Sequence, residues 1–166
     1  MIYLRSLRKI VQNNGSQDIV YIDESGFEEQ TQRIHAWGKI GEKIFGEKSG
    51  VRGKRTNLIA ARRGGDFLAP MLFSGTAHAK LVNEYVQSQL CPVLRPNSTI
   101  IMDNARFHNK EQLTEIANEN GHNILFLPSY SPDYNPIEQD FANIKKRRIF
   151  APQNTTLEQI IKMYNC

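Results

Sequence analysis

NILFLPSYSPDYNPIEQDFANIKKRR, residues 123 to 148, is the stretch on which the fold turns. Its apolar run, Ile124-Leu125-Phe126-Leu127, has the length of a buried strand rather than a helix. Pro128, Ser129, Ser131, Pro132, Asp133, Asn135 and Pro136 then impose a rigid polar turn. Asn135 has the chemistry of an N-cap, and Pro136 suits the first helical position. Ile137, Phe141 and Ile144 follow at i, i+4 and i+7, one apolar helical stripe. Glu138 stands beside that stripe, three residues after Asn135, at the spacing of a capping box. Lys145, Lys146, Arg147 and Arg148 close the segment with four cations. A strand and a proline turn thus deliver one carboxylate to the start of a helix, where capping and chemistry compete for the same oxygens.

Working outward, two other apolar runs end in acids. Ile19-Val20-Tyr21-Ile22 leads into Asp23-Glu24-Ser25-Gly26, and Ser98-Thr99-Ile100-Ile101-Met102 ends at Asp103. Continuous apolar runs of this length read as strands buried on both faces. Between them lie a second strand expected near 35–40, with Trp37, and two runs at Asn57–Ala61 and Phe67–Phe73. Arg62-Arg63-Gly64-Gly65-Asp66 reads as their hairpin turn. Ala79–Leu90 carries Leu81, Tyr85, Val86 and Leu90 at helical spacing, and Asn109–Asn118 is a second helix stopped by Asn120-Gly121. Thr155-Thr156-Leu157-Glu158 is a capping-box pattern for a last short helix. An antiparallel meander followed by alternating helices and strands implies a mixed sheet flanked by helices, an α/β fold.

At 166 residues, with 40% hydrophobic and 23% charged residues, one soluble domain is the expectation. Residues 18–166 make that domain, and residues 1–17 read as a linker or the end of another region. No apolar run has the length of a membrane span, and the N-terminus is too charged for a secretory signal. Cys91 and Cys166 lie far apart, which argues against a zinc site or a disulfide framework and for a reducing compartment. The net charge of +4 permits a polyanionic partner.

Ligands of such sheets gather outside the carboxyl ends of parallel strands. If the strands ending at Asp23 and Asp103 are neighbours, both carboxylates share one edge, and Glu138 arrives from the next helix. Three hard oxygen ligands without a His or Cys cluster suit Mg2+ or Mn2+. Two such ions about 3.5–4 Å apart drive in-line displacement at a phosphodiester. Each acid also has a bland reading: a turn or cap for Asp23 and Asp103, a cap for Glu138. Asp133, in the proline turn, and Asp140, roughly 200° around the helix from Glu138, are weaker third acids. Glu24 is expected on the opposite face from Asp23.

Together YIDESGF, IIMDNARFH and LPSYSPDYNPIEQDFANIKKRR resemble the catalytic domain of DDE transposases, in the mariner-like superfamily and its bacterial insertion-sequence branch. Thirty-four residues separate Asp103 from Glu138, the interval typical of that superfamily. The resemblance implies an RNase H-like fold and Asp23, Asp103 and Glu138 as the catalytic, metal-binding acids. It implies hydrolysis at transposon ends and attack by the freed 3′-hydroxyl on target DNA, with two Mg2+ ions as cofactor and Mn2+ as substitute. It further implies transposon-end and target DNA as partners, a homo-oligomer for synapsis, and a cytoplasmic, nucleoid-associated protein. Asn104 and His108, within the matched DNARFH, are candidates to orient Asp103 or touch DNA. Arg52, Lys54, Arg55 and Lys145–Arg148 are phosphate-contact candidates, with a solvated helix end as the alternative for the last four. Arg62 and Arg63 are weaker ones. About eighteen residues precede the first strand, too few for the helix-turn-helix module usual in such proteins. Another RNase H-like nuclease, or an inactive remnant that only binds DNA, are the competing readings.

Overall fold

A parallel pair of strands, one of ten residues and one of four, forms the centre of the sheet. The structure, a computed structural model, describes residues 7–9, 12, 18–28, 40–41, 55–128, 134–152 and 154–164. In chain order its elements are β1 (Ile19–Glu28), β2 (Arg55–Arg63), β3 (Asp66–Ser74), α1 (Ala79–Tyr85), β4 (Thr99–Met102), α2 (Lys110–Glu119), β5 (Asn123–Phe126), α3 (Ile137–Phe150) and α4 (Leu157–Tyr164). The strands form one sheet in the order β3-β2-β1-β4-β5. β1, β2 and β3 pair antiparallel, and β4 runs parallel to both β1 and β5. This is the mixed, helix-flanked sheet expected from the sequence. The strand expected near 35–40, with Trp37, lies outside the described residues.

Burial explains the layers. Val20 and Ile22 of β1, Ile59 and Ala61 of β2, and Ile100 and Met102 of β4 point to one face, where they pack with Val82, Tyr85, Leu113 and Ala117 of α1 and α2. The alternate residues Phe27, Leu58 and Ala60 face the other side, against Ile137, Phe141 and Ile144 of α3 and Ile160 and Ile161 of α4. The stripe read from the sequence is therefore the buried face of α3. Period-2 alternation on the strands assigns each neighbour to the opposite layer.

Local chemistry sets several boundaries. Gly64-Gly65 makes the β2–β3 turn, with Gly64 at φ 57, a conformation that favours glycine. The register between β2 and β3 slips between Ile59 and Ala61, opposite Ala69-Pro70 on the edge strand. Proline has no amide to donate, so an edge bulge accommodates it. The helix expected over Ala79–Leu90 keeps its α form only to Tyr85; a π turn covers Val86–Leu90 and a 3-10 turn Cys91–Val93. Pro92 cannot supply the helical amide, so the last turns change pitch. Helix α2 begins as expected at Asn109, whose Oδ1 accepts from the Gln112 amide at 3.2 Å. The capping box of α4 is shifted by one residue. Thr156 and Gln159 bond reciprocally, at 3.2 and 2.8 Å, in place of Thr155 and Glu158.

Candidate active site

The register of β1 and β4 builds the site. Ile19, Val20 and Tyr21 lie opposite Thr99, Ile100 and Ile101. The same offset carries Asp23 opposite Asp103, one residue beyond the end of β4. Two acids eighty positions apart in sequence therefore stand at one sheet edge.

Asp23 is tightly held. Its Oδ1 accepts from the amide of Glu24 at 2.7 Å, and its Oδ2 from Nδ2 of Asn135 at 3.2 Å. Burial pushes its pKa up to about 7, against the pull of the Glu24 amide. The negative charges of Glu24, Asp103 and Glu138 add to the rise. Asp23 therefore feels the charge of both Asp103 and Glu138.

Asp103 is held differently. His108, its side chain 1% exposed, approaches Asp103 Oδ1 with Nε2 at 2.8 Å. The Ala105 amide reaches the same oxygen at 3.4 Å. Burial works to raise the Asp103 pKa, but the hydrogen bond and charge of His108 and the Ala105 amide outweigh it, and the group sits below the usual carboxylate range. A carboxylate in that state has no proton to give, so Nε2 of His108 donates. His108 Nδ1 is buried without a partner in the described residues. Of the two motif residues, His108 is thus the one fixed to an acid; Asn104 is half-buried beside it.

Glu138 is exposed in the first turn of α3. The Asn135–Glu138 capping box does not form. The cap position is Pro136, without a side-chain bond, and the amides of Glu138 and Gln139 are taken at 3.2 Å by the backbone carbonyls of Asn135 and Pro136. Asn135 was free to turn its side chain to Asp23 because backbone 3-10 bonds satisfy that turn. No local signal marks this contact, which spans 112 residues.

The remaining acids fall elsewhere. Asp140 is buried, accepting from Arg62 Nη1 at 2.8 Å and from the Tyr164 hydroxyl, which makes it a structural anchor between β2, α3 and α4. Glu24 lies toward α1, where its charge acts on Tyr85, and the pleat thus separates it from Asp23 as expected. It still comes near Asp103: burial raises its pKa, His108 opposes this and Asp103 adds to it. Asp133 lies outside the described residues, as do Arg52 and Lys54.

The candidate phosphate contacts divide. Arg55 lies across Gly26, where a β-carbon would come within 2.1 Å of Nη2, and bonds Asn57 Oδ1 at 3.0 Å. Lys145 sits 5.5 Å over the Phe27 ring, and Arg147 stacks on Tyr164 and bonds the Met163 carbonyl. Lys146 is exposed and Arg148 half-buried. Four successive helical residues point around the axis, so they do not form a single basic face. Arg62 and Arg63 are paired with Asp140 and Asp66.

Among the described residues no three His, Cys, Asp or Glu side chains are gathered closely enough to hold a metal ion as they stand. The donor set nonetheless fits a hard divalent cation. It consists of carboxylate oxygens, and a cation would offset the burial and the smaller mutual repulsion that resist ionisation of Asp23.

A mixed five-stranded sheet with helices on both faces is an RNase H-like fold. The DDE superfamily endonuclease family matches residues 18–161, and the chain belongs to that family. Solved structures agree on the fold. The Mos1 transposase paired-end complex with left transposon end superposes with a TM-score of 0.75 at 16% identity, covering 98% of this chain and 52% of that one. The Mos1 mariner paired-end complex with Mn gives 0.74 at 17% identity, covering 99% and 53%. The catalytic domain of Mos1 mariner transposase gives 0.60 at 16%, covering 96% and 74%. The chain thus spans about half the length of the Mos1 proteins in the paired-end complexes. The curated proteins contain no match. No described helix is long and apolar enough to cross a membrane.

Proposed function

We propose that this chain is the catalytic domain of a transposase that cleaves DNA strands and joins 3′-hydroxyl ends to target DNA, using a divalent cation held by Asp23, Asp103 and Glu138. The observation that carries the reading is the β1–β4 register, which brings Asp23 opposite Asp103, with Glu138 acting on the same carboxyl. Family membership supports it, and so do the Mos1 paired-end complexes obtained with Mn and with Mg. When bound, Mg2+ or Mn2+, as a pair of ions, lowers the pKa of an attacking water and stabilises the leaving oxygen.

The chain's own residues have separable tasks. Asp23 and Asp103, on rigid strand ends, hold their oxygens in fixed positions. His108 and the Ala105 amide orient Asp103. Glu138, exposed on a helix start, brings in the third carboxylate. Asp23, which burial makes harder to ionise than an ordinary aspartate, gives up its proton when a cation binds. Lys145, Lys146 and Arg148 draw the DNA backbone toward the site as positive charges. Residues 18–166 carry catalysis, and synapsis of two ends uses a homo-oligomer.

The test is a strand-transfer assay with duplexes bearing 3′-hydroxyl ends and Mn2+. Joined products support the reading; cleaved product without joining assigns the chain to a hydrolytic nuclease. Calorimetric titration with Mn2+ tests the site: absence of binding, with Asp23→Ala and Asp103→Ala behaving as wild type, eliminates it.

A further inference from the structure

We propose that Asn135 is a positioning residue that clamps the Asp23 carboxylate to the arm carrying Glu138. This rests on the metal-site reading above. The side chain is 5% exposed, and its Nδ2 donates to Asp23 Oδ2 at 3.2 Å. Its Oδ1 is buried with no hydrogen-bond partner among the described residues. Among the described residues Asn135 neither caps α3 nor satisfies both ends of its amide: the first turn of α3 is closed by backbone carbonyls. Its side-chain bond there runs to an acid of the proposed site, not to its own helix.

The surroundings make the clamp rigid. Pro136 follows with φ −65, and Ile137 is wholly buried against the sheet. The Glu138 amide bonds the Asn135 carbonyl at 3.2 Å. One short segment therefore grips the first acid through its side chain and sets the backbone of the third. Asp103 has its own buried donor in His108, so each strand-end acid is held by one fixed side chain. Mutating a group that orients a metal ligand typically costs about 10–100-fold in metal affinity.

The experiment titrates Mn2+ calorimetrically into the wild type, Asn135→Ala, Asn135→Ser, Asp23→Ala and the Asn135→Ala/Asp23→Ala double variant, with thermal melts of each metal-free protein. Serine is too short to reach Asp23, and it serves if alanine at 135 fails to fold. The expected result is a loss of Mn2+ affinity of about 10–100-fold in both Asn135 variants. Their metal-free melting temperatures stay at or above wild type, and Asn135→Ala adds nothing once Asp23 is gone. Strand cleavage by Asn135→Ala recovers as Mn2+ is raised. Wild-type affinity in the Asn135 variants, with binding lost in Asp23→Ala, overturns the clamp and leaves the metal site standing. Equal Mn2+ behaviour of wild type and Asp23→Ala overturns both. Failure of both Asn135 variants to fold makes the residue structural and overturns the clamp.

Discussion

Asp23 carries the most consequence of any single residue. Its pKa lies near 7 in the folded protein, against the ordinary 3.8 of an aspartate in water, because burial and three neighbouring carboxylates oppose its charge. The sign follows from proton binding. Between about pH 4 and pH 7 the folded chain keeps a proton that the unfolded chain releases, so metal-free stability falls as pH rises through that window. Asp23→Asn removes the penalty. Urea denaturation without divalent cations should find the variant more stable than wild type at pH 8, by on the order of 2–4 kcal/mol. The difference should vanish toward pH 4. A variant less stable than wild type at both pH values would show that Asp23 is not resisting ionisation. Asp103 is the contrasting case: the same burial is outweighed by His108 and the Ala105 amide, which is why two acids facing each other across adjacent strands differ in charge state.

At the level of elements, α3 separates two acids that a sequence search for a third ligand would weigh against each other. Glu138 is exposed and caps nothing; Asp140 is buried between Arg62 and Tyr164. Glu138→Gln should therefore abolish strand cleavage while shifting stability by less than about 0.5 kcal/mol. Asp140→Ala should lower stability by about 3 kcal/mol, since it strands Arg62, yet leave Mn2+ affinity unchanged in the folded fraction. The reverse pattern, with cleavage retained in Glu138→Gln and Mn2+ affinity lost in Asp140→Ala, would exchange their roles. The same helix shows how much of an element was legible beforehand. The stripe Ile137, Phe141 and Ile144 was correct because it depends only on helical period. The capping box was not, because the backbone satisfied the turn and a distant carboxylate attracted Asn135. In α4 the cap slipped from Thr155 to Thr156, since either threonine has the right oxygen and three-dimensional packing chose the register.

For the molecule as a whole, the sheet order explains why charge and stability are linked. β1 lies between antiparallel β2 and parallel β4, so its acid-bearing end opens beside β4 rather than at an edge strand. Like charges gathered there cost folding energy that a bound cation returns. Mn2+ at saturating concentration should raise the melting temperature at pH 7.5 by mass action, about 2.7 kcal/mol at one hundred times Kd. Asp23→Ala and Asp103→Ala should lose that shift. A shift of equal size in both variants would place the cation elsewhere on the protein.

Short-range chemistry written in the chain was enough for the described strands, the glycine hairpin and the apolar face of α3, because period, turn preference and the ends of buried runs are local properties. The resemblance of three motifs added the family, and residues 18–161 bear it out. Contacts between distant residues were decided only by the folded sheet. The pairing of β1 with β4 brought two separate strand ends to one sheet edge. Packing of α3 on the sheet placed Asn135 on Asp23 and Asp140 on Arg62, whereas His108 reaches Asp103 from only five residues away. Each of these polar side chains has several acceptable partners in an extended chain, and burial leaves it only the one that the neighbouring layer presents.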